Sequence, residues 1–220
     1  IAIGTDGTKS DARSYSASLY GSYRLMPKTF LDAVLGYGRI NFNLKRWSGD
    51  GNIMLNAKRA GQEFFGSLRL TQDIKINSWK FSPYARLDVI KINLAAYEEA
   101  GSDIWALSYA KLDSTTVSAV LGARISYSMP TTWGTLTPFL HIEYDHALSG
   151  KYSQSLSYTD LPGTNYSING TAQATDLFSG GLGLRAKTEN GLDIDLEYLL
   201  SSTPKQIQGQ TVRASIKQAF

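Results

Sequence analysis

Apolar and polar residues alternate along successive segments of the chain, and this pattern constrains the fold more than any other feature. The clearest segment places six residues on one face and five on the other: Trp79, Phe81, Pro83, Ala85, Leu87 and Val89 against Lys80, Ser82, Tyr84, Arg86 and Asp88. Side chains alternate between the two faces of a β-strand, so the segment predicts a strand with one apolar and one polar face. About nine segments of this kind follow one another, which predicts an all-β protein.

The polar faces carry charges that a dry protein core would not accept. In the segment that begins at Gly134, the apolar face is opposed by His141, Glu143 and Asp145. Burying such groups among apolar side chains costs several kcal/mol. A water-filled lumen removes that cost, so the pattern favours a sheet with lipid on one face and water on the other.

Short and long connections alternate along the chain. We predict short turns at Pro27, Asp73, Pro130 and Thr188, and longer loops near Gly7, Ser48, Tyr97, Ala147 and Pro204. Residues 47–56 read as a polar loop, and residues 147–174 as a longer loop with room for a small hairpin. Outer-membrane barrels have this asymmetry, whereas a soluble β-sandwich has no reason to keep it. The sequence therefore predicts a transmembrane antiparallel β-barrel of the bacterial outer membrane.

Composition excludes several other classes of protein. Hydrophobic residues make up 42% of the chain and the mean hydropathy is −0.21, so no segment is apolar enough for a transmembrane helix. The absence of cysteine removes disulfides and cysteine–metal sites, and a net charge of +3 is too small to indicate nucleic acid as a partner. Residues 1–4 do not resemble a signal peptide, so we expect either a mature chain or a piece of a longer one.

Both ends of the chain read as strands. Residues 210–220 place Val212, Ala214, Ile216 and Phe220 on one apolar face, and a final aromatic is expected where a last strand ends in an aromatic girdle. Ile1–Asp6 is strand-like but shorter than the roughly nine to eleven residues that cross a membrane. We therefore expect it to be the outer part of a strand.

Several motifs, in order, resemble those of one family. They are Ser-Tyr-Ser-Ala-Ser-Leu-Tyr-Gly-Ser-Tyr-Arg-Leu at 14–25, Leu-Asp-Ala-Val-Leu-Gly-Tyr-Gly-Arg at 31–39, Gly-Thr-Leu-Thr-Pro at 134–138, Gly-Gly-Leu-Gly-Leu-Arg at 180–185 and the terminal Phe220. The chain resembles the β-domains of autotransporters, the translocators of type V secretion. The resemblance implies a barrel that anchors an N-terminal passenger and carries it to the cell surface.

The resemblance also implies partners and limits. The expected partners are outer-membrane lipid, the barrel assembly machinery and the chain's own passenger in cis, with no nucleic acid, no cofactor and no enzymatic activity. The family barrel has twelve strands, whereas this chain supplies about nine to ten, so residues 1–220 are expected to be one translocator domain that lacks its first strands and the helix of the lumen. Gln218 stands where the family usually has an aromatic residue.

Two groups of candidate functional residues follow. The predicted lumen-lining residues are Arg69, Arg86, Arg124, Glu143, Arg185, Asp193, Asp195, Glu197 and Arg213. The predicted assembly signal comprises Val212, Ala214, Ile216 and Phe220. For the lumen charges, ion pairing and hydration are a more economical explanation than a dedicated role.

Two alternative functions stay open at this point. His141, Glu143 and Asp145 share one strand face and Asp193 and Asp195 another, as an omptin-like protease that activates water would need. These residues are predicted near the middle of the barrel or its periplasmic end, which disfavours that alternative.

A plain porin or adhesin is the other alternative. Its external loop could use Tyr152, Tyr158 and Tyr166 as contacts, although aromatic and polar loops of this kind are commonly just solvated.

Overall fold

The structure, a computed structural model, describes residues 7–218 and contains fifteen β-strands and no helix within that range. The strands are β1 (Lys9–Met26), β2 (Thr29–Ser48), β3 (Ile53–Gln72), β4 (Ile74–Ile76), β5 (Trp79–Leu94), β6 (Tyr97–Glu98), β7 (Leu107–Tyr109), β8 (Leu112–Tyr127), β9 (Met129–Thr131), β10 (Gly134–Ala147), β11 (Lys151–Tyr158), β12 (Tyr166–Thr171), β13 (Asp176–Thr188), β14 (Leu192–Ser202) and β15 (Ile207–Gln218). The predicted all-β class is confirmed.

Nine long strands form one antiparallel meander. Their order is β1-β2-β3-β5-β8-β10-β13-β14-β15, while β4 pairs with β5 and β9 pairs with β10. Each long strand pairs with the long strands before and after it in the chain. In the described part of the chain, β1 and β15 are the two edges of this sheet, which forms a half-barrel.

The sheet curves toward its polar face, which we call the inner face. Arg86 on β5 reaches Glu143 on β10 at 2.8 Å, although β8 lies between their strands. Arg124 on β8 lies 3.8 Å from Asp195 on β14, with two strands between them. Neighbouring strands are about 4.8 Å apart and side chains stand roughly perpendicular to a sheet, so these contacts indicate curvature toward the inner face.

The opposite, outer face carries exposed apolar side chains. Leu19, Leu121 and Leu182 are 82%, 63% and 66% exposed. A soluble sandwich would bury these leucines between two sheets and leave its charges outside. The reverse arrangement is that of an outer-membrane barrel, whose apolar band faces lipid. We call this band of outward apolar residues the belt.

A second, smaller sheet covers one end of the half-barrel. Strands β12-β11-β7-β6 form this sheet, which contacts β3 and β8, and Leu55 near the start of β3 is fully buried. Strands β2 and β3 are each twenty residues long, well beyond the roughly nine to eleven that cross a bilayer. We call residues 95–111 and 148–175 together with these strand ends the cap. The hairpin expected within residues 147–174 is confirmed as β11–β12.

Two predicted loops are wrong in extent. Residues 47–56 do not form a loop, because β2 continues to Ser48, β3 begins at Ile53, and Asn52 takes a left-handed φ of 48° in the tight turn between them. The connection near Pro204 is equally short, at residues 203–206. Strands that extend beyond the belt have water on their outer face, so their polar residues resemble those of a loop.

Two predicted turns lie a few residues later in the structure. The short strands β4 and β9 carry the chain past Asp73 and Pro130, and the turns fall at residues 77–78 and 132–133. Asn77 has a φ of 53°, a conformation that asparagine tolerates better than most residues. The turns at Pro27 and Thr188 lie where the sequence predicts them.

In residues 7–218 no helix is long and apolar enough to span a membrane.

Candidate functional site

The inner face brings together the charges of seven long strands. The nine residues predicted to line the lumen all lie on it: Arg69 on β3, Arg86 on β5, Arg124 on β8, Glu143 on β10, Arg185 on β13, Asp193, Asp195 and Glu197 on β14, and Arg213 on β15. Strand alternation alone puts them there, since each is flanked by belt residues. Eight of the nine fall into three clusters, and Arg69 pairs separately with Asp32.

The first cluster centres on Arg86. Its Nε donates to Asp88 and its Nη1 to Glu143, both at 2.8 Å. The hydroxyl of Tyr84 also donates to Glu143 and lies 2.7 Å from Nε2 of His141. One arginine therefore joins two carboxylates from different strands, and Tyr84 donates to the same oxygen of Glu143, Oε1, as Arg86 does.

The second cluster joins β10, β14 and β15 through Glu197. This carboxylate lies 3.3 Å from Nδ1 of His141 and accepts a hydrogen bond of 3.3 Å from Arg213. Its side chain is only 6% exposed. A buried carboxylate is costly unless it is paired, so Glu197 ties the last strand to the sheet.

The third cluster surrounds Asp195. Arg185 contacts Asp195 at 2.6 Å and Asp193 at 3.7 Å, and Arg124 approaches Asp195 to 3.8 Å. The Arg124 guanidinium also lies 3.5 Å from the ring centre of Phe139. A cation over an aromatic face gains electrostatic attraction, so the ring supports an arginine that shares its carboxylate with another.

The aromatic ring of Phe139 is accommodated by a glycine on the neighbouring strand. A Cβ added to Gly183 would lie 2.0 Å from the ring. The sequence analysis did not single out this pair, nor Tyr84 and Asp32, which hold inner-face charges. The alternation of the sequence is enough to place Tyr84 and Asp32 on that face. It does not identify the groups they contact, because those depend on the curvature of the sheet.

The clusters border a polar cavity of about 680 Å³. Its wall includes Asp32 and Arg69, which form an ion pair of 2.9 Å, together with residues from strands as far apart as β2 and β15. Most of its charges already have partners, so the cavity can hold water and a polar chain without binding one group strongly. Within residues 7–218 no cluster of three or more histidines and acids has the geometry of a metal site.

The residues proposed for a protease do not converge. His141 lies 3.5 Å from Glu143, but Asp193 and Asp195 are engaged by Arg185, and the carboxylate nearest to His141 on β14 is Glu197. An acid held by arginine is a poor base for activating water. This arrangement favours a structural role for the network.

The tyrosines named for an adhesin lie in the cap. Tyr152 stands over Gly170 in the β11–β12 hairpin and Tyr166 is exposed.

The described residues of the predicted assembly signal point outward: Val212, Ala214 and Ile216 pair with Tyr198, Leu196 and Ile194 of the belt. Phe220 lies outside the described residues.

The cap is held by a buried ion pair. The guanidinium of Arg46 donates to both oxygens of Glu99, at 2.7 and 2.6 Å, and to the carbonyl of Trp105 at 3.0 Å. Glu99 also accepts from the backbone of Leu107 at 3.0 Å. Hydrogen bonding to Glu99 raises the pKa of Arg46 above its ordinary value. This contact, which we call the clamp, fastens residues 95–111 to the end of β2.

A second contact in the cap involves Arg59. It donates to Gln154 at 2.9 Å and lies 5.1 Å from the ring centre of Tyr97, which stacks on Tyr109 at 4.5 Å. Burial lowers the pKa of Arg59 and raises the pKa values of both tyrosines. The cap is therefore a packed structure with its own polar interior.

An apolar outer belt, a charged inner face and a meander of strands define an outer-membrane β-barrel domain. The family model described as "Autotransporter beta-domain" matches residues 1–199. The chain belongs to the autotransporter beta-domain family and is located in the outer membrane.

Curated relatives agree with this family. The chain is 23% identical over 208 residues to "Outer membrane protein B" of Rickettsia prowazekii (strain Madrid E), and 24% identical over 213 residues to the protein of the same name from Rickettsia rickettsii. The matches cover 90% and 91% of this chain but only 13% of each relative. The chain thus spans a small part of the length of the curated relatives it matches.

Solved structures share the fold. The translocator domain of the autotransporter NalP from Neisseria meningitidis superposes with a TM-score of 0.69 at 18% identity, covering 96% of this chain and 69% of that one. The β-domain of the Bordetella autotransporter BrkA gives a TM-score of 0.65 at 16% identity, covering 99% and 77%. At these identities the similarity establishes the barrel architecture.

Proposed function

We propose that this domain anchors a longer protein in the outer membrane and carries an N-terminal passenger of that protein to the cell surface. The observation that carries the proposal is the inner face, where charged side chains from seven long strands line a polar cavity behind an apolar belt. A passenger in transit needs water for its backbone, because unpaired peptide groups cost several kcal/mol in lipid.

The inner charges are paired with one another, which favours the passage of a peptide over its tight binding. Arg86, Arg185 and Glu197 each contact at least two partners of opposite charge or a histidine. A passing peptide would have to displace these partners to bind tightly. We therefore propose that the domain has no catalytic role.

Two partners belong to this proposal besides the passenger in cis. Outer-membrane lipid surrounds the belt. The barrel assembly machinery recognises the last strand through Val212, Ala214, Ile216 and Phe220. The cap and the turn at residues 203–206 face the outside of the cell, and residues 1–220 act as one translocator domain.

A matched pair of arginine substitutions tests the proposal in cells. Leu182→Arg puts a charge in the belt, where an arginine near the bilayer midplane costs about 2–4 kcal/mol. Thr137→Arg puts the same charge on the inner face beside a polar cavity. The full-length protein carries an epitope in its passenger, and antibody labelling of intact cells measures its display at the surface.

We expect Leu182→Arg to reduce surface labelling severalfold, while Thr137→Arg keeps it near the level of the unchanged protein. Equal loss in both variants would contradict the assignment of the two faces. Normal amounts of inserted protein without any surface epitope would contradict translocation itself.

A further inference from the structure

The first outward residue above the belt, on its cap side, is basic in most of the early strands. Along β1, β2, β3 and β5 the belt ends at Tyr15, Tyr37, Phe64 and Val89. The next outward residues are Arg13, Arg39, Gln62 and Lys91. We call these four residues the basic row. Three of them are cations, and the fourth is a neutral hydrogen-bond donor.

Strand pairing brings the row together. Arg39 is directly opposite Tyr15, so Arg13 is its diagonal neighbour, and Arg39 is directly opposite Gln62. Diagonal neighbours on an antiparallel sheet are about 7–8 Å apart, within the reach of long side chains. Lys91 lies opposite Phe64, one strand further on and one step nearer the belt. The row therefore follows the edge of the belt across four strands.

The cations of the row are not neutralised by protein groups. Within residues 7–218, Arg13, Arg39 and Lys91 form no ion pair, and all three side chains are exposed. The carboxylate of Asp11, one step above Arg13, is paired with Lys9 at 3.0 Å. Arg39 donates a hydrogen bond of 3.4 Å to the hydroxyl of Tyr37 in the belt. Three positive charges thus face outward with free hydrogen-bonding capacity.

The remaining strands lack this feature. The equivalent first outward residues are Thr115 on β8, His146 on β10, Asp176 on β13, Ser202 on β14 and Gln210 on β15. His146 already contacts Asp176, at 2.9 Å. The positive charge is confined to one side of the half-barrel, so it is not a general consequence of ending a strand in polar residues.

We propose that the basic row binds the phosphate groups of anionic lipids in the leaflet on the cap side of the membrane. Tyrosine and phenylalanine at the end of a belt mark the level of the lipid head groups, and the row lies directly above them. Arginine is suited to phosphate because its planar guanidinium can donate two parallel hydrogen bonds. A lipid phosphate also arrives with acyl chains that cover the adjacent belt.

This inference depends on the proposed orientation of the belt in a bilayer and adds a partner of defined chemistry. Each Lys or Arg near an anionic membrane surface contributes a factor of about five to association, so three cations together can favour an anionic lipid by well over tenfold. Salt screens exposed charges, and the Debye length falls to about 3 Å at 1 M. The preference should therefore weaken as ionic strength rises.

A lipid titration tests the proposal. The full-length protein, purified from outer membranes in a non-ionic detergent, is titrated with fluorescent phosphatidylglycerol and, separately, with fluorescent phosphatidylcholine. The test variant is R13Q/R39Q/K91Q. The control variant is K151Q/K187Q/K205Q, which loses the same net charge at exposed positions away from the row.

We expect phosphatidylglycerol to bind at least tenfold more tightly than phosphatidylcholine at low salt. This ratio should fall to about two in the test variant and remain in the control variant. Equal ratios in the unchanged protein and the test variant would overturn the proposal, as would displacement of phosphatidylglycerol by inorganic phosphate at matched ionic strength.

Surface display of the passenger separates this inference from the proposed function. If the test variant displays its passenger normally and the unchanged protein shows no lipid preference, only the lipid site is wrong. If lipid preference is present but the passenger never reaches the surface, the translocation proposal fails alone. Strand content by circular dichroism confirms that each variant is folded before it is titrated.

Discussion

The clamp between Arg46 and Glu99 allows a sharp test of how the cap is held. Glu99→Ala removes the carboxylate that accepts two hydrogen bonds from Arg46 and one from the Leu107 backbone. The guanidinium keeps its bond to the Trp105 carbonyl but loses its only charged partner among the described residues. The substitution should therefore loosen residues 95–111 and leave the main sheet intact.

The expected size of the effect follows from burial. Removing one partner of a buried ion pair costs about 3–5 kcal/mol, because the remaining charge is left without compensation. The Glu99 side chain is 5% exposed, whereas that of Arg46 is 32% exposed, so water recovers part of the loss for the arginine. We expect a local free-energy change of about 3 kcal/mol, near the lower limit of that range. This is about a hundredfold increase in the open population of the cap.

Hydrogen–deuterium exchange measures this opening directly. Local openings are reported by exchange of the amides that they expose, independently of global unfolding. Peptides covering residues 95–111 should exchange about a hundredfold faster in Glu99→Ala, while peptides from β10 and β13 keep their rates.

The neighbouring acid provides the control. Glu98 is exposed, and within residues 7–218 its side chain accepts one weak hydrogen bond, of 3.5 Å, from Ser108. Glu98→Ala should leave the exchange of the cap within about twofold, since surface contacts of this kind contribute little. If both substitutions accelerate exchange equally, or neither does, the assignment of the clamp is refuted.

Two further predictions concern packing and pH. Gly183→Ala should lower the free energy of unfolding by about 1–3 kcal/mol, because the added methyl group meets the ring of Phe139. Gly180→Ala has open space at its Cβ and should be nearly neutral. Urea titration of the inserted barrel measures both free energies. Burial raises the pKa of Tyr97, so the folded cap holds this proton more tightly than the open cap. The stabilisation is complete below pH 10 and declines as the pH rises further. The difference in phenolate absorbance between the unchanged protein and Tyr97→Phe should show that Tyr97 ionises well above pH 10. Ionisation of Tyr97 at or below pH 10 would contradict this prediction.

The alternation of the sequence predicts the faces of the strands but not the partners of their charges. Arg86 and Glu197 were placed on the inner face from period two alone, and the structure has both there. Which groups they contact depends on curvature, since Arg86 reaches Glu143 past an intervening strand. No local pattern contains that information.

The length of β2 and β3 was missed for a different reason. Their far ends have a polar outer face at Asn41 and Lys58, and their inner face packs under the cap around Leu55. Above the belt the outer face of a strand meets water instead of lipid, so its outward residues no longer need to be apolar. The residues that continue a strand there therefore resemble those of a loop. The clamp was also missed, because Arg46 and Glu99 are brought together only by the folding of the cap.

The pairing order of the main sheet bears on how such domains change over evolution. Every long strand of the described meander is bonded to its sequence neighbours, so the backbone ladder is a chain of independent hairpins. Duplicating or deleting one hairpin would leave the backbone pairing of the other strands unchanged and alter mainly the number of strands in the sheet. The side-chain bonds that skip a strand, such as Arg86 to Glu143, would not survive such an edit unchanged. Selection on barrel size should therefore act first on the inward charges, whereas the belt needs only to remain apolar.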